Sequence, residues 1–116
     1  MSAHRRREKI NMLLKEELAG IIDREVEFPQ GSIVTLTRAA VSSDGRYAAV
    51  FFSTLGASPD AALELLQKNL YTIQQLVNKK LKMRPVPQIR FLPDEEEMRR
   101  EGVEKTLSGL NRNSAL

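Results

Sequence analysis

Apolar residues recur at spacings of three and four between residues 5 and 25. Ile10, Leu13, Leu14, Leu18, Ile21 and Ile22 form one stripe, and Arg5, Lys9 and Glu16 lie off it. This spacing predicts an amphipathic helix, ended by Pro29 and Gly31. The pattern then changes period. "SIVTLTRAAV" (32–41) is rich in β-branched residues and predicts a strand. "SSDG" follows as a turn, since Asp44-Gly45 is a strong hairpin signal. "RYAAVFFSTL" (46–55) predicts the second strand, with the near-continuous apolar run from Ala48 to Phe52 buried on much of both faces.

Helical spacing resumes after Gly56. Ser58 is a good N-cap, Pro59 suits the first helical position, and Asp60 sits near the positive end of the dipole. Ala62, Leu63, Leu66, Leu70, Ile73, Leu76, Val77 and Leu81 carry the stripe on until Pro85 stops it. A third strand is predicted from Pro87 to Leu92, with Ile89 and Phe91 toward the core and Gln88 and Arg90 away from it. A proline at its start suits an edge strand. A short helix from Asp94 to about Leu107 and a loose last nine residues complete the chain. The order helix, strand, strand, helix, strand is that of an α+β domain, a three-stranded sheet with helices on one face. Leu36, Val50, Phe52, Leu66, Ile73, Leu76, Ile89 and Phe91 are the expected core.

Composition narrows the chemistry. A chain of 116 residues, 41% hydrophobic and 28% charged, fits one globular domain. It has no cysteine, which excludes disulfides, thiolate nucleophiles and zinc–thiolate sites. No apolar run reaches the roughly 18 residues of a membrane span. The basic N-terminus lacks the apolar core of a signal peptide, so the expected location is the cytoplasm. Catalysis finds little support. The one histidine, His4, lies in a charged terminus, and the adjacent Glu16 and Glu17 diverge by about 100° around a helix. The acids Asp94 to Glu97 are explained as a helix first turn matched to its dipole. Six scattered glycines make no phosphate loop. The expectation is a protein with no enzymatic activity, no metal and no cofactor.

The charge map says more than the net charge of +3. From Leu65 to Pro93 there is no acid, but there are Lys68, Lys79, Lys80, Lys82, Arg84 and Arg90. Arg5, Arg6 and Arg7 open the first helix. Acids gather at Glu16 to Glu27 and at Asp94 to Glu104. Such segregation is the footprint of a polyanion binder; a solvated lysine-rich helix face is the competing explanation. Tyr47, Tyr71, Phe28, Phe51, Phe52 and Phe91 give no sign of a stacking platform for splayed bases.

In order and spacing, these motifs resemble the ribosome-binding factor A family, over roughly residues 5 to 92. The resemblance rests on Arg24, Glu25, Val26 and Pro29 after the first helix, and on Val34, Thr35 and Thr37. It continues with Val41, Ser42 and Asp44 in the turn, Tyr47, Ala48 and Val50 in the second strand, and Leu55-Gly56. Leu81, Arg84, Val86, Pro87, Ile89 and Phe91 match an "RxVPxLxF"-like segment. The resemblance implies a KH-like (type II) fold with a bent second helix, and a monomeric cytoplasmic factor with no catalytic role. Its partner would be the free 30S small ribosomal subunit. Its task would be late maturation and processing of 16S rRNA, with importance in the cold.

Family members replace the usual GxxG loop by a kink marked by a small residue, any residue and a glycine. Asn69, Leu70 and Tyr71 occupy those positions here, and Tyr71 removes the close approach a glycine allows. Phe28 stands where an acid is common before the proline, and Gln88 where a glutamate is common. An unbroken helix from Pro59 to Lys82 would still span about 36 Å, long for a domain with a radius of gyration near ~14 Å. A bend is therefore expected between Lys68 and Thr72. Asn69, whose side chain competes for backbone hydrogen bonds, is its local cause.

The expected RNA-binding residues are Arg5, Arg6, Arg7, Lys79, Lys80, Lys82 and Arg84. Cations at the end of the long helix suit the negative end of its dipole and present a phosphate-binding edge. Arg84 is the sharpest candidate, because its planar fork matches phosphate. Residues 1–93 are the expected KH-like RNA-binding domain, and 94–116 a charged helix and flexible tail. The alternative is a small basic adaptor that binds an acidic protein rather than RNA.

Overall fold

The structure, a computed structural model, describes residues 3–100. The expected tail helix beyond residue 100 and the last nine residues lie outside the described residues. The order is α1 (Ala3–Glu25), β1 (Ile33–Val41), β2 (Tyr47–Leu55), α2 (Pro59–Lys68), α3 (Leu70–Lys80) and β3 (Gln88–Pro93). A further helix, α4, is described over 95–100. This is the α+β order that the periodicity predicts.

β2 is the central strand. It pairs antiparallel with β1 and parallel with β3. The antiparallel pair needs only the Ser42–Gly45 turn. There Asp44 Oδ1 accepts from the Ser42 hydroxyl (2.6 Å) and the Arg46 amide (3.0 Å), and Gly45 takes φ 75°. These two bonds to the ionised form hold the Asp44 carboxyl below its ordinary value. The parallel pair needs a long crossover, which α2 and α3 supply.

The helices cover one face. Val50 and Phe52 of β2 and Ile89 and Phe91 of β3 turn toward them. Leu14, Leu18 and Ile21 of α1, Leu66 of α2, and Ile73 and Val77 of α3 meet those residues in one buried cluster. Leu36 joins it as expected. Leu76 is only half-buried, packed against the cluster. Leu13 departs further, at 48% exposed. The apolar stripe of α1 is wider than the surface it packs on, so its flank faces solvent. Ala49 and Phe51 are likewise only half-buried, so β2 is fully covered on one face, not two.

The bend falls where expected. Asn69, at φ −100° and ψ 5°, separates α2 from α3. Its Nδ2 donates to Leu65 O at 2.8 Å, and its own amide reaches the same oxygen at 3.2 Å. The side chain thus shares an acceptor of the helical ladder, as a polar residue inside a helix is able to do.

Candidate nucleic-acid interface

α1 places three arginines against the preference of its own dipole. Arg5, Arg6 and Arg7 are exposed on its first two turns, and its first turn holds no acid. Cations near a helix N-terminus are disfavoured, so helix stability does not account for them. Lys79 and Lys80 have the opposite relation, in the last turn of α3, where cations are favoured. Lys82 and Arg84 follow, also exposed.

Packing brings the start of α1 near the segment that follows α3. α1 lies along β1 and α3, and the Asn11 side chain accepts from the Val41 amide at 2.9 Å. That bond pins the start of α1 beside the hairpin. A groove of about 200 Å³ opens there, bounded by Arg6, Arg7 and Ile10, by the Ser42–Gly45 turn, and by Met83 from the segment after α3. The groove thus sets Arg6 and Arg7 opposite Met83, the residue between Lys82 and Arg84; Lys79, Lys80, Lys82 and Arg84 themselves do not line it. A second depression of about 290 Å³ is lined by Asn78, Arg84 and Val86.

Arg84 is more constrained than its sequence suggests. Its Nη1 donates to Leu81 O at 2.9 Å and to Met83 O at 2.7 Å. One arm of the fork is therefore occupied by the loop that carries it, and a phosphate would have to meet the remaining donors. The cost is one lost bidentate edge. The gain is a fixed direction for the rest.

Gln74 holds the strand beside this edge. Its amide accepts from Ile89 N at 2.9 Å and donates to Pro87 O at 3.0 Å. The side chain so pairs with the outer edge of β3 as a neighbouring strand would, and closes an edge that is otherwise open to other chains.

Asp94 was legible only as the first acid of a helix. It is buried, at 6% exposed. Its Oδ2 accepts from the Thr37 hydroxyl at 2.6 Å and lies 3.6 Å from Arg38 Nε; its Oδ1 caps α4 through Glu97 N at 3.1 Å. The Thr37 bond outweighs burial and holds its carboxyl below the ordinary value. A bulge makes this possible. The register slips between Leu36 and Arg38, which places two residues against one on β2, and Thr37 and Arg38 both reach Asp94.

The sheet face turned away from the helices carries two aromatics. Tyr47 and Phe51 share it, and Arg38 lies over the Phe51 ring at 3.9 Å from its centroid. The alternation that puts Tyr47 and Phe51 on one face is legible in the strand's sequence; the register that sets Arg38 beside Phe51 is not. Among the described residues, no group of three or more His, Asp or Glu is placed to hold a metal. No helix among them is long and apolar enough to cross a membrane.

The sequence profile of ribosome-binding factor A matches residues 6–107. The chain belongs to the ribosome-binding factor A family. A curated member, ribosome-binding factor A of Bordetella bronchiseptica, is 34% identical over 94 residues, covering 81% of this chain and 69% of its own. Among solved structures, ribosome-binding factor A of Thermus thermophilus superposes with a TM-score of 0.63 at 21% identity, over 75% of this chain and 94% of that one. A homology model of the Thermus thermophilus protein, fitted into a cryo-EM map of its complex with the 30S subunit, gives 0.61 at 26% identity, over 71% of this chain and 88% of that one. The KH-like fold read from the motifs is therefore the fold of this family. In this chain the bend between α2 and α3 lies at Asn69.

Proposed function

We propose that this family member is a ribosome-biogenesis factor that binds the free 30S small ribosomal subunit and assists late maturation of 16S rRNA. It would do so through phosphate and shape recognition on a basic face built from Arg5, Arg6, Arg7, Lys79, Lys80, Lys82 and Arg84. One observation supports the location above others: Arg6 and Arg7 line a groove whose far side is Met83, the residue between Lys82 and Arg84. The Thermus thermophilus relative in complex with the 30S subunit supports the partner. Phosphates draw such a face without regard to sequence, and released counterions supply much of the affinity. The protein acts by binding rather than catalysis, as a monomer in the cytoplasm. Residues 1–93 form the RNA-binding unit, and 94–116 a charged extension from it.

Co-sedimentation tests the proposal. The chain should pellet with purified small subunits and not with large subunits or intact ribosomes. Equal pelleting with all three would reduce it to a general polyanion binder. Pelleting with none would remove the ribosomal reading.

A further inference from the structure

The helices cover one face of the sheet, and the basic groove lies at its hairpin end. The other face is unused by the proposed interface. Tyr47, Ala49 and Phe51 alternate along β2 with the buried Ala48, Val50 and Phe52, so they stand on that open face. Arg38 is opposite Phe51 on β1, Ala40 opposite Ala49, and Arg90 opposite Ala49 on β3. Two aromatic rings therefore sit four residues apart, about 13 Å along the strand. A low floor of alanines lies between them, with an arginine on each side.

The details suit bases. The Arg38 guanidinium covers Phe51, and its side chain is still 56% exposed, so the outer side of that plane is open. Tyr47 is 59% exposed. Asp94, which pairs with Arg38, is buried, so two arginines face outward against one enclosed carboxylate. Unstacked bases lie on aromatic rings and on guanidinium planes, and arginines meet the phosphates between them. Duplex RNA offers no free base face to such a surface. An apolar protein partner would have to desolvate two guanidinium groups.

We propose that the open face of the sheet is a second nucleic-acid surface, a stacking platform for single-stranded RNA. Tyr47 takes one base, the Arg38–Phe51 pair takes another, and Arg90 meets the backbone that crosses the alanines. The proposal rests on the reading of this chain as an rRNA binder, but it uses none of the residues of the basic edge.

The test titrates the full chain with a fluorescein-labelled single-stranded RNA hexamer. Anisotropy is read at several salt concentrations, amide shifts are recorded, and the duplex of the same sequence serves as comparison. The hexamer should bind better than the duplex and shift Ala49, Phe51 and Arg90. Tyr47→Ala should weaken it roughly ten- to a hundredfold, as for the removal of one stack, and Tyr47→Phe should restore it. Arg90→Gln should lower the salt slope by about 0.7. Circular dichroism checks the fold of each variant. If Tyr47→Ala and Arg90→Gln bind as wild type, with shifts confined to Arg6, Arg7 and Lys82, the platform is wrong and the basic edge stands. If the duplex binds equally well through this face, single-strand recognition is wrong. If sedimentation velocity shows self-association that Tyr47→Ala abolishes while hexamer binding is unchanged, the face joins two copies. If the chain binds neither hexamer nor small subunits, the rRNA reading falls together with the platform.

Discussion

Asp94 joins three elements through one carboxylate: β1 through Thr37 and Arg38, β3 as its continuation, and α4 as its cap. Asp94→Ala should cost about 3 kcal/mol, the sum of a charge-assisted bond and a helix cap. Asp94→Asn should cost about 1 kcal/mol, because an amide oxygen still accepts from Thr37. Urea denaturation measures both. Because the fold lowers this pKa, the unfolded chain takes up the proton first as pH falls. The stabilisation is therefore complete above the ordinary carboxylate value and is lost as pH drops through the folded one. The gap between wild type and Asp94→Asn should thus shrink as pH falls below about 5, through the ordinary carboxylate value and on through the folded one. Two glycines give a second contrast. Gly31 and Gly56 both have positive φ, but an added Cβ at Gly31 meets nothing, whereas at Gly56 it would collide with the Gly31 carbonyl. Gly31→Ala should cost about 1 kcal/mol and Gly56→Ala clearly more, by thermal melting. Neither Asp94's burial nor this collision is legible in sequence, because each depends on a residue brought in from far along the chain.

The elements were largely legible, because each is set by its own local pattern. Ser58 caps α2, accepting from the Ala61 amide at 3.1 Å, and Pro59 opens the helix, as their residue types predict. Asn69 is the clearest case, since a residue that competes for backbone bonds was the local cause available for a bend. What escaped was the relation between elements: the parallel pairing of β3, the bulge at Thr37, and the Gln74 amide laid along β3. Gln74 reads in sequence as one more polar residue of a helix. Gln74→Ala should cost about 2 kcal/mol, two part-buried bonds. It should also speed hydrogen exchange at the Ile89 amide well beyond that of core strand amides. Unchanged exchange at Ile89 would mean that β3 is held by its pairing with β2 alone.

At the scale of the molecule, charge is what the fold arranges. Two basic clusters are visible in the sequence, and their residue types suggest phosphate. Only the packing of α1 against α3 shows that Arg6 and Arg7 share a groove with Met83, between Lys82 and Arg84, and only the loop shows Arg84 with one arm already engaged. If this edge meets the RNA of the small subunit, its cations must displace counterions from the phosphates. Small-subunit affinity across a salt series reads that displacement directly, for wild type and for the variant with Lys79, Lys80, Lys82 and Arg84 all replaced by alanine. Exposed substitutions such as those of the three lysines usually change stability by within about 0.5 kcal/mol, and losing the Arg84 bonds to Leu81 and Met83 adds about 1 kcal/mol, so circular dichroism should still show a folded chain. The variant should bind more weakly, with a salt slope smaller by about 0.7 to 0.9 for each phosphate it no longer neutralises. A folded variant with unchanged affinity and unchanged slope would contradict this, and would leave the Arg5–Arg7 side of the groove as the RNA-binding surface.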